Sequence, residues 1–423
     1  MAGFTFDELN SSYDSFRHPV AVITVGGKDI SEDKAPLSIS NIEVENTCGF
    51  EASIATFWIG NCFENGSFQF DTVKKYVTLG SSVVISLGYG SNAREVFRGF
   101  ISRVNFSYLR GEVPGVEVTA MDVKGIMMSG SYAKQLKATS YSDAVSEILE
   151  NTAYVKLQSN EIITKLEISD TPDKKSTTGG AGGLEGAAGG LGGAAGGIGG
   201  AGEKASDKTI EMVCESDYEF VVKAAKKFNY EFFTNAGTVY FRKAKDYKDI
   251  LMEIEPNALL RSVEVSYDIT GLAGKVEVRS TDVGNAKAIS VSKNIDNKIS
   301  QGSNAKQLIQ NTKKVYIDPT VASKEDADNR ADYLVEDISY RYGTLEAELI
   351  GLPELVPGRF IKLKDIGPTV SNTFYLVTVR HILNADGEYF TRITGKAAGL
   401  ETEAGAGMAA GLGGGMEGIN GFI

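Results

Sequence analysis

Apolar and polar residues alternate over short runs through the first 125 or so positions, and turn residues punctuate those runs. Pro19-Val-Ala-Val-Ile-Thr-Val25 is β-branched and stops at Gly26-Gly27, which predicts a strand and a turn. Further strands are predicted at about 38–46, 50–58, 81–89, 94–108 and 114–123. Glu95 to Phe106 carries bulky residues on both faces, and Gly99 within it marks a bulge or a close backbone approach. Several short strands separated by turns indicate an antiparallel barrel or sandwich.

The period then changes. Ser140 opens a short helix with Val145, Ile148 and Leu149 on one stripe. Ser216-Asp-Tyr-Glu219 is a capping box, after which Phe220, Val221, Ala224, Ala225 and Phe228 fall on one face and Lys223, Lys226 and Lys227 on the other. Strands at Tyr230–Thr234 and Val239–Lys243 flank Asn235-Ala-Gly237, completing a small α/β module. The last third predicts strands at 258–267 and 275–280. A helix follows from Ser323, with Ser323-Lys-Glu-Asp326 as its cap and Ala327, Ala331, Leu334, Ile338 and Tyr342 as its apolar face. Strands return at 344–350, 359–364, 374–383 and 389–395, and Asp386-Gly387 turns the last hairpin. The fold class expected is α+β, predominantly β: two tube-like antiparallel β-barrel domains with a small α/β module between them. The expected boundaries are 1–135, 136–250 and 251–397, the last containing the helix near 323–342.

Composition changes this picture in two places. Of 48 glycines, many lie in 179–202, where only Leu184, Glu185, Leu191 and Ile198 are neither Gly nor Ala. Such a run buries too little side chain to offset backbone entropy, so disorder is expected there. The segment 398–423 repeats the composition with Met408, Leu412, Met416, Ile419, Phe422 and Ile423 interspersed, as a flexible tail able to dock on a partner or simply a frayed end. The formal charge of −12 disfavours nucleic-acid binding. No run of roughly 18 apolar residues predicts a membrane span. The N-terminus lacks a secretory pattern, so synthesis in the cytoplasm is expected. Cys48, Cys62 and Cys214 show no CxxC spacing and read as buried thiols.

Candidate chemistry is sparse. His18 and His381 are the two histidines and fall in separate strand regions, so no triad or multi-histidine metal site can be drawn. His381 follows Tyr375, Val377 and Val379 on an alternating strand, as a hydrogen-bonded structural residue would. Glu43/Glu45 and Asp326/Asp328 are acidic pairs that read as solvated faces. The glycine runs lack the Gly-Lys-Ser/Thr of a phosphate loop. Trp58 and Tyr89 suit either core packing or a ligand groove. No catalytic residue, metal ligand or cofactor is assigned.

Three segments carry a resemblance. Gly80–Gly90, Val96-Phe-Arg-Gly-Phe-Ile101 and Pro114–Asp122 match a strand with a glycine turn, a "Phe-x-Gly" strand holding Gly99 and a "Val-x-Ala-x-Asp" strand ending at Asp122. Glu215–Phe233 matches an aromatic-bearing helix, with Tyr218 and Phe220, running into an aromatic strand. Gly351–Gly358 matches "Gly-x-Pro-x-Leu-x-Pro-Gly", with Pro353 and Gly358. It is followed by a closing hairpin containing His381 and Gly387. In this order they resemble the phage late control protein D family, which includes the hub portion of VgrG proteins. The resemblance implies a structural baseplate hub of a contractile phage tail or injection system, adapting a hexameric tube to a trimeric spike. It also implies a homotrimer whose six barrels form a pseudo-hexameric ring. Partners would be the tail tube protein, a separate spike protein, baseplate wedge proteins, and tape-measure protein or cargo in the bore. The insertion at 179–202 is not part of that pattern. A cell-wall hydrolase and a β-rich glycan- or receptor-binding module are the competing readings.

Overall fold

The computed structural model describes residues 3–31, 37–159, 162–173, 210–256, 259–282, 286–296 and 303–400. The Gly/Ala run at 179–202 and the tail beyond 400 lie outside these.

Short alternating strands do build the molecule, and it is predominantly β with α elements. They join into one 13-stranded sheet rather than two separate ones. From one edge its strands run Leu260–Tyr267, Gly343–Ile350, Tyr389–Ala397, Thr373–Leu383, Ser38–Thr47, Ile54–Gly60, Gly115–Met121, Asn92–Ser107, Ser82–Tyr89 and Pro19–Val25, ending at Lys28–Asp29. Phe360–Leu363 also pairs with Thr373–Leu383, and Ile250–Ile254 pairs with it in parallel. Closed barrels are not found among the described residues. The reason is a seam: Ser38–Thr47 spends its free edge on Thr373–Leu383, from Ile42 against Leu383 to Thr47 against Thr378. Ladder hydrogen bonds that would close each half on itself join the halves instead.

Register irregularities account for the runs with bulky residues on both faces. Ile85 pairs Phe97 while Ser86 pairs Glu95, leaving Val96 as the extra residue of a bulge, and both Val96 and Phe97 are buried. A second shift between Leu376 and Thr378 reverses the parity of Thr373–Leu383. Phe374 and Leu376 face the main core before it, Val379 after it, and Tyr375 and Val377 pack in a separate cluster. The simple alternation of Tyr375, Val377 and Val379 expected from sequence is therefore broken at the bulge.

The main core draws on both ends of the chain, from Leu9 to Ala397, and includes the fully buried Phe57, Phe97 and Phe374. Each such side chain contributes roughly 2–3 kcal/mol by leaving water. A second core forms where helices Tyr141–Leu149 and Asp217–Phe228 meet the sheet of Lys165–Ile168, Thr238–Lys243 and Tyr230–Asn235. The third lies beneath a small sheet of Lys287–Asn294, Lys275–Asp282 and Lys313–Ile317, covered by helix Lys324–Ser339.

Both anticipated caps form. Ser216 and Glu219 make a reciprocal capping box, and the Ser323 side chain accepts from the Asp326 amide. Asp326 reaches back one residue further than a capping-box glutamate, accepting from the Ala322 amide at 3.3 Å. Cys48 and Cys62 are buried, but Cys214, with a positive φ of 51° one residue before the end of strand Ile210–Glu215, is exposed, contrary to expectation.

Candidate functional site

Several of the buried polar side chains gather where the chain's segments meet, at three junctions. At the first, Asp122 closes the Gly115–Met121 strand and is 1% exposed. Its carboxylate accepts from the Ser53 and Lys124 amides, both at 2.9 Å, and from the Thr234 hydroxyl. One side chain thus ties the 48–53 turn, its own strand end and the Tyr230–Asn235 strand together. Lys124 is fully buried beside it, 3.9 Å away, and donates to the Gly49 and Glu51 carbonyls. Burial pushes its ammonium below the ordinary lysine range. Tyr218 donates to the Phe50 carbonyl at 2.9 Å, while Phe220 is wholly within the second core.

At the second junction, Arg242 donates from Nε to Glu231 Oε1 at 2.6 Å and from Nη2 to the Gly358 carbonyl at 2.9 Å. The Tyr375 hydroxyl donates to the other Glu231 oxygen. Burial drives the Glu231 carboxyl upward against the pull of Arg242 and Tyr375. Gly358 has φ of 77°, and a Cβ there would stand 2.9 Å from the Arg242 guanidinium. The motif needs glycine for both reasons. Cys48 lies at this junction with its thiol pushed up to about 12 by burial, so it is no nucleophile. A cavity of about 270 Å³ opens beside it.

The third junction centres on the buried segment 351–358, which contains Pro353. Tyr13 donates to Glu354 at 2.5 Å, Arg94 reaches the same oxygen at 3.2 Å, and Tyr89 donates to the Gly351 carbonyl at 3.0 Å. The Tyr389 ring lies directly on Gly351, where a Cβ would meet it at 2.1 Å. His381 is 1% exposed, with Nδ1 at 3.1 Å from the Tyr389 hydroxyl and 3.2 Å from Thr391 Oγ1. Burial pushes its pKa down to about 4, opposed by a hydrogen bond with the Leu355 backbone. His381 is thus a neutral, hydrogen-bonded structural residue, whereas His18 is exposed.

The remaining motif glycines are geometric. A Cβ on Gly99 would lie 2.2 Å from the Met121 carbonyl oxygen, and Gly387 turns the closing hairpin at φ of 77°. The acidic pairs are not merely solvated. Glu43 and Glu45 both pair with Arg380 across the seam, and Asp326 pairs with Lys227 at 3.1 Å. Trp58 is half-buried over Gly115 and Tyr89 is in the core. Glu231, Arg242, Glu354, Arg94, Tyr13 and Lys124 went unnoticed in the sequence. The Asn235-Ala-Gly237 turn, read as a register, would have placed Glu231 opposite Arg242, as the ladder does. Glu354 inside an otherwise apolar motif was a second available signal.

Among the described residues no group of three or more His, Cys, Asp or Glu is placed to hold a metal ion. No helix among them is long and apolar enough to cross a membrane. A tail protein from Neisseria meningitidis shares this architecture with a TM-score of 0.60 at 12% identity, over 90% of this chain and 97% of that one. The 43 kDa tail protein of prophage MuSo2 from Shewanella oneidensis gives 0.61 at 10% identity, over 90% and 98%. The chain has the tail-protein fold. No protein-family model and no curated protein sequence matches it, so the likeness is carried by the course of the backbone. The tail-protein fold spans nearly the whole length of both neighbours, and the three junctions are the places where this chain holds that fold together.

Proposed function

We propose that the chain is a structural baseplate hub of a contractile phage tail or phage-tail-like injection system, without enzymatic activity. The observation that carries this reading is the near end-to-end likeness to two tail proteins. Its buried polar groups support it: Asp122, Glu231, Arg242, Glu354 and His381 are each engaged with neighbouring side chains or backbone. A part whose work is mechanical needs its segments joined in this way. The hub acts as a homotrimer between a hexameric tube and a separate trimeric spike, with tape-measure protein or cargo in its bore. Residues 1–135 and 251–397 supply the two ring-forming units, and 136–250 the module between them. Assembly takes place in the baseplate, where wedge proteins are further partners.

The test is the solution mass of the purified chain, alone and mixed with its tube and spike proteins, by sedimentation velocity. A trimer, alone or with the spike, that captures tube protein is the expected result. A monomer indifferent to both overturns the reading, and turnover of peptidoglycan by the pure chain would replace it with the hydrolase.

A further inference from the structure

Lys313–Ile317 is the outermost strand of the small sheet and pairs, in parallel, with Lys275–Asp282 alone. Its hydrogen bonds fall on alternate residues. The Thr312 carbonyl accepts from the Lys275 amide at 3.1 Å, and the Asp318 amide donates to the Arg279 carbonyl at 3.0 Å. In a parallel ladder of this register, Lys314 and Tyr316 bond the same neighbouring strand. The N–H and C=O groups of Lys313, Val315 and Ile317 therefore point the other way, to the open edge. Among the described residues no hydrogen bond reaches those outward groups.

The same three residues share one face of the sheet. Val276, Val278 and Tyr316 pack into the core under helix Lys324–Ser339, so Val315 and Ile317 point away from it and are 45% and 81% exposed. A hollow of about 620 Å³ lies on that uncovered face, and Glu277 is buried within it. One carboxylate there serves two cations. Arg279 donates to Glu277 Oε1 at 2.6 Å, and Lys313 pairs with Oε2. No other acid lines the hollow among the described residues, and both cations stay partly exposed, so the face is left net positive.

Open edges are normally kept short, charged or stopped by proline. Pro319 does end pairing shortly after Ile317, which limits the site to the five residues of the strand. Lys313, however, is drawn onto Glu277, and the next two residues on the open side are apolar. We propose that Lys313–Ile317 is a docking edge for an extended segment of a partner protein, which adds to the small sheet as a further strand. The partner's backbone meets the outward groups of Lys313, Val315 and Ile317. Apolar side chains at its alternate positions cover Val315 and Ile317, and a carboxylate opposite Lys313 takes up the charge that Glu277 shares with Arg279. The edge lies outside the three junctions, and the inference does not rest on the hub reading.

The test uses the full chain and a fluorescein-labelled peptide of about seven residues alternating valine and glutamate, read by anisotropy. Binding weakened at least about tenfold by Ile317→Lys is expected, and likewise by Val315→Pro, which removes an outward N–H and leaves the ladder to Lys275–Asp282 intact. The same peptide with alternate amides N-methylated should not bind. Residue-resolved amide exchange should be fast at Lys313, Val315 and Ile317 in the free chain and slow once the peptide is added, with Lys314 and Tyr316 protected throughout. Equal affinity for both variants overturns the proposal, as does equal binding of the N-methylated peptide or protection of the three outward amides in the free chain. A fall in solution mass in Ile317→Lys also overturns it, because the edge then belongs to a second copy of this chain.

Discussion

Replacing Arg242 by methionine isolates the second junction. The substitution keeps the stem's packing and removes the charge, the 2.6 Å bond to Glu231 and the 2.9 Å bond to the Gly358 carbonyl. Glu231 is then left 6% exposed with the Tyr375 hydroxyl as its remaining direct hydrogen-bond partner. Removing one member of a buried ion pair costs about 3–5 kcal/mol, because the other charge stays buried without compensation. At 1.4 kcal/mol per factor of ten, that is about two to four powers of ten in the folding equilibrium. The double variant Glu231→Gln/Arg242→Met carries no stranded charge and should cost only about 1–2 kcal/mol. The sign with pH follows from burial, which already raises the Glu231 carboxyl despite Arg242. Without Arg242 the folded pKa rises further above the unfolded value. The single variant therefore regains stability as pH falls through that raised pKa and loses it as pH rises. Urea unfolding followed by circular dichroism, for wild type and both variants at neutral and mildly acidic pH, reads all of this. A loss below about 1 kcal/mol for Arg242→Met, or a double variant costlier than the single, would refute the reasoning.

Other outcomes are equally specific. His381, held at about 4 in the fold against 6.5, has a depressed pKa, so its contribution is present above 6.5 and is lost as pH falls toward 4. Urea midpoints across that range should register on the order of 3 kcal/mol, with a shallower slope in His381→Gln. Gly99→Ala drives a Cβ to 2.2 Å from the Met121 carbonyl oxygen and should cost about 1–3 kcal/mol by thermal unfolding, against no loss if the ladder can spread freely. Ser216→Ala removes the hydroxyl that accepts from the Glu219 amide at 3.1 Å. It should cost about 1 kcal/mol, visible as faster amide exchange confined to the first turn of that helix.

The local elements were legible because their signals are local. Ser216 and Glu219 announce a cap, Asp386-Gly387 a hairpin, and Gly99 a close approach, each within a few positions. What sequence periodicity does not encode is which edge strand meets which. Nothing in Ser38–Thr47 says that its free side is taken by Thr373–Leu383 rather than by its own half, so the joining of the tube-like halves through one shared sheet was not legible. The same limit hid the junctions. Tyr13, Arg94 and Glu354 are unremarkable until tertiary contact makes them one cluster, and bulges such as that at Val96 shift which face a residue occupies.

The seam also governs when the fold can exist. Glu45 and Arg380 are partners at a separation of 335 positions, and contacts so distant in sequence make folding slow, since a long loop must close before they form. On the ribosome the N-terminal strands emerge long before the strand that completes their edge, and they wait with that edge open. The middle module's own ladders, Lys165–Ile168, Thr238–Lys243 and Tyr230–Asn235, pair among themselves, and its junction with Gly358 and Tyr375 waits for the C-terminus. The newly made chain is accordingly most exposed to aggregation while its last strands are still being synthesised, and truncation within 373–397 should leave the N-terminal half insoluble.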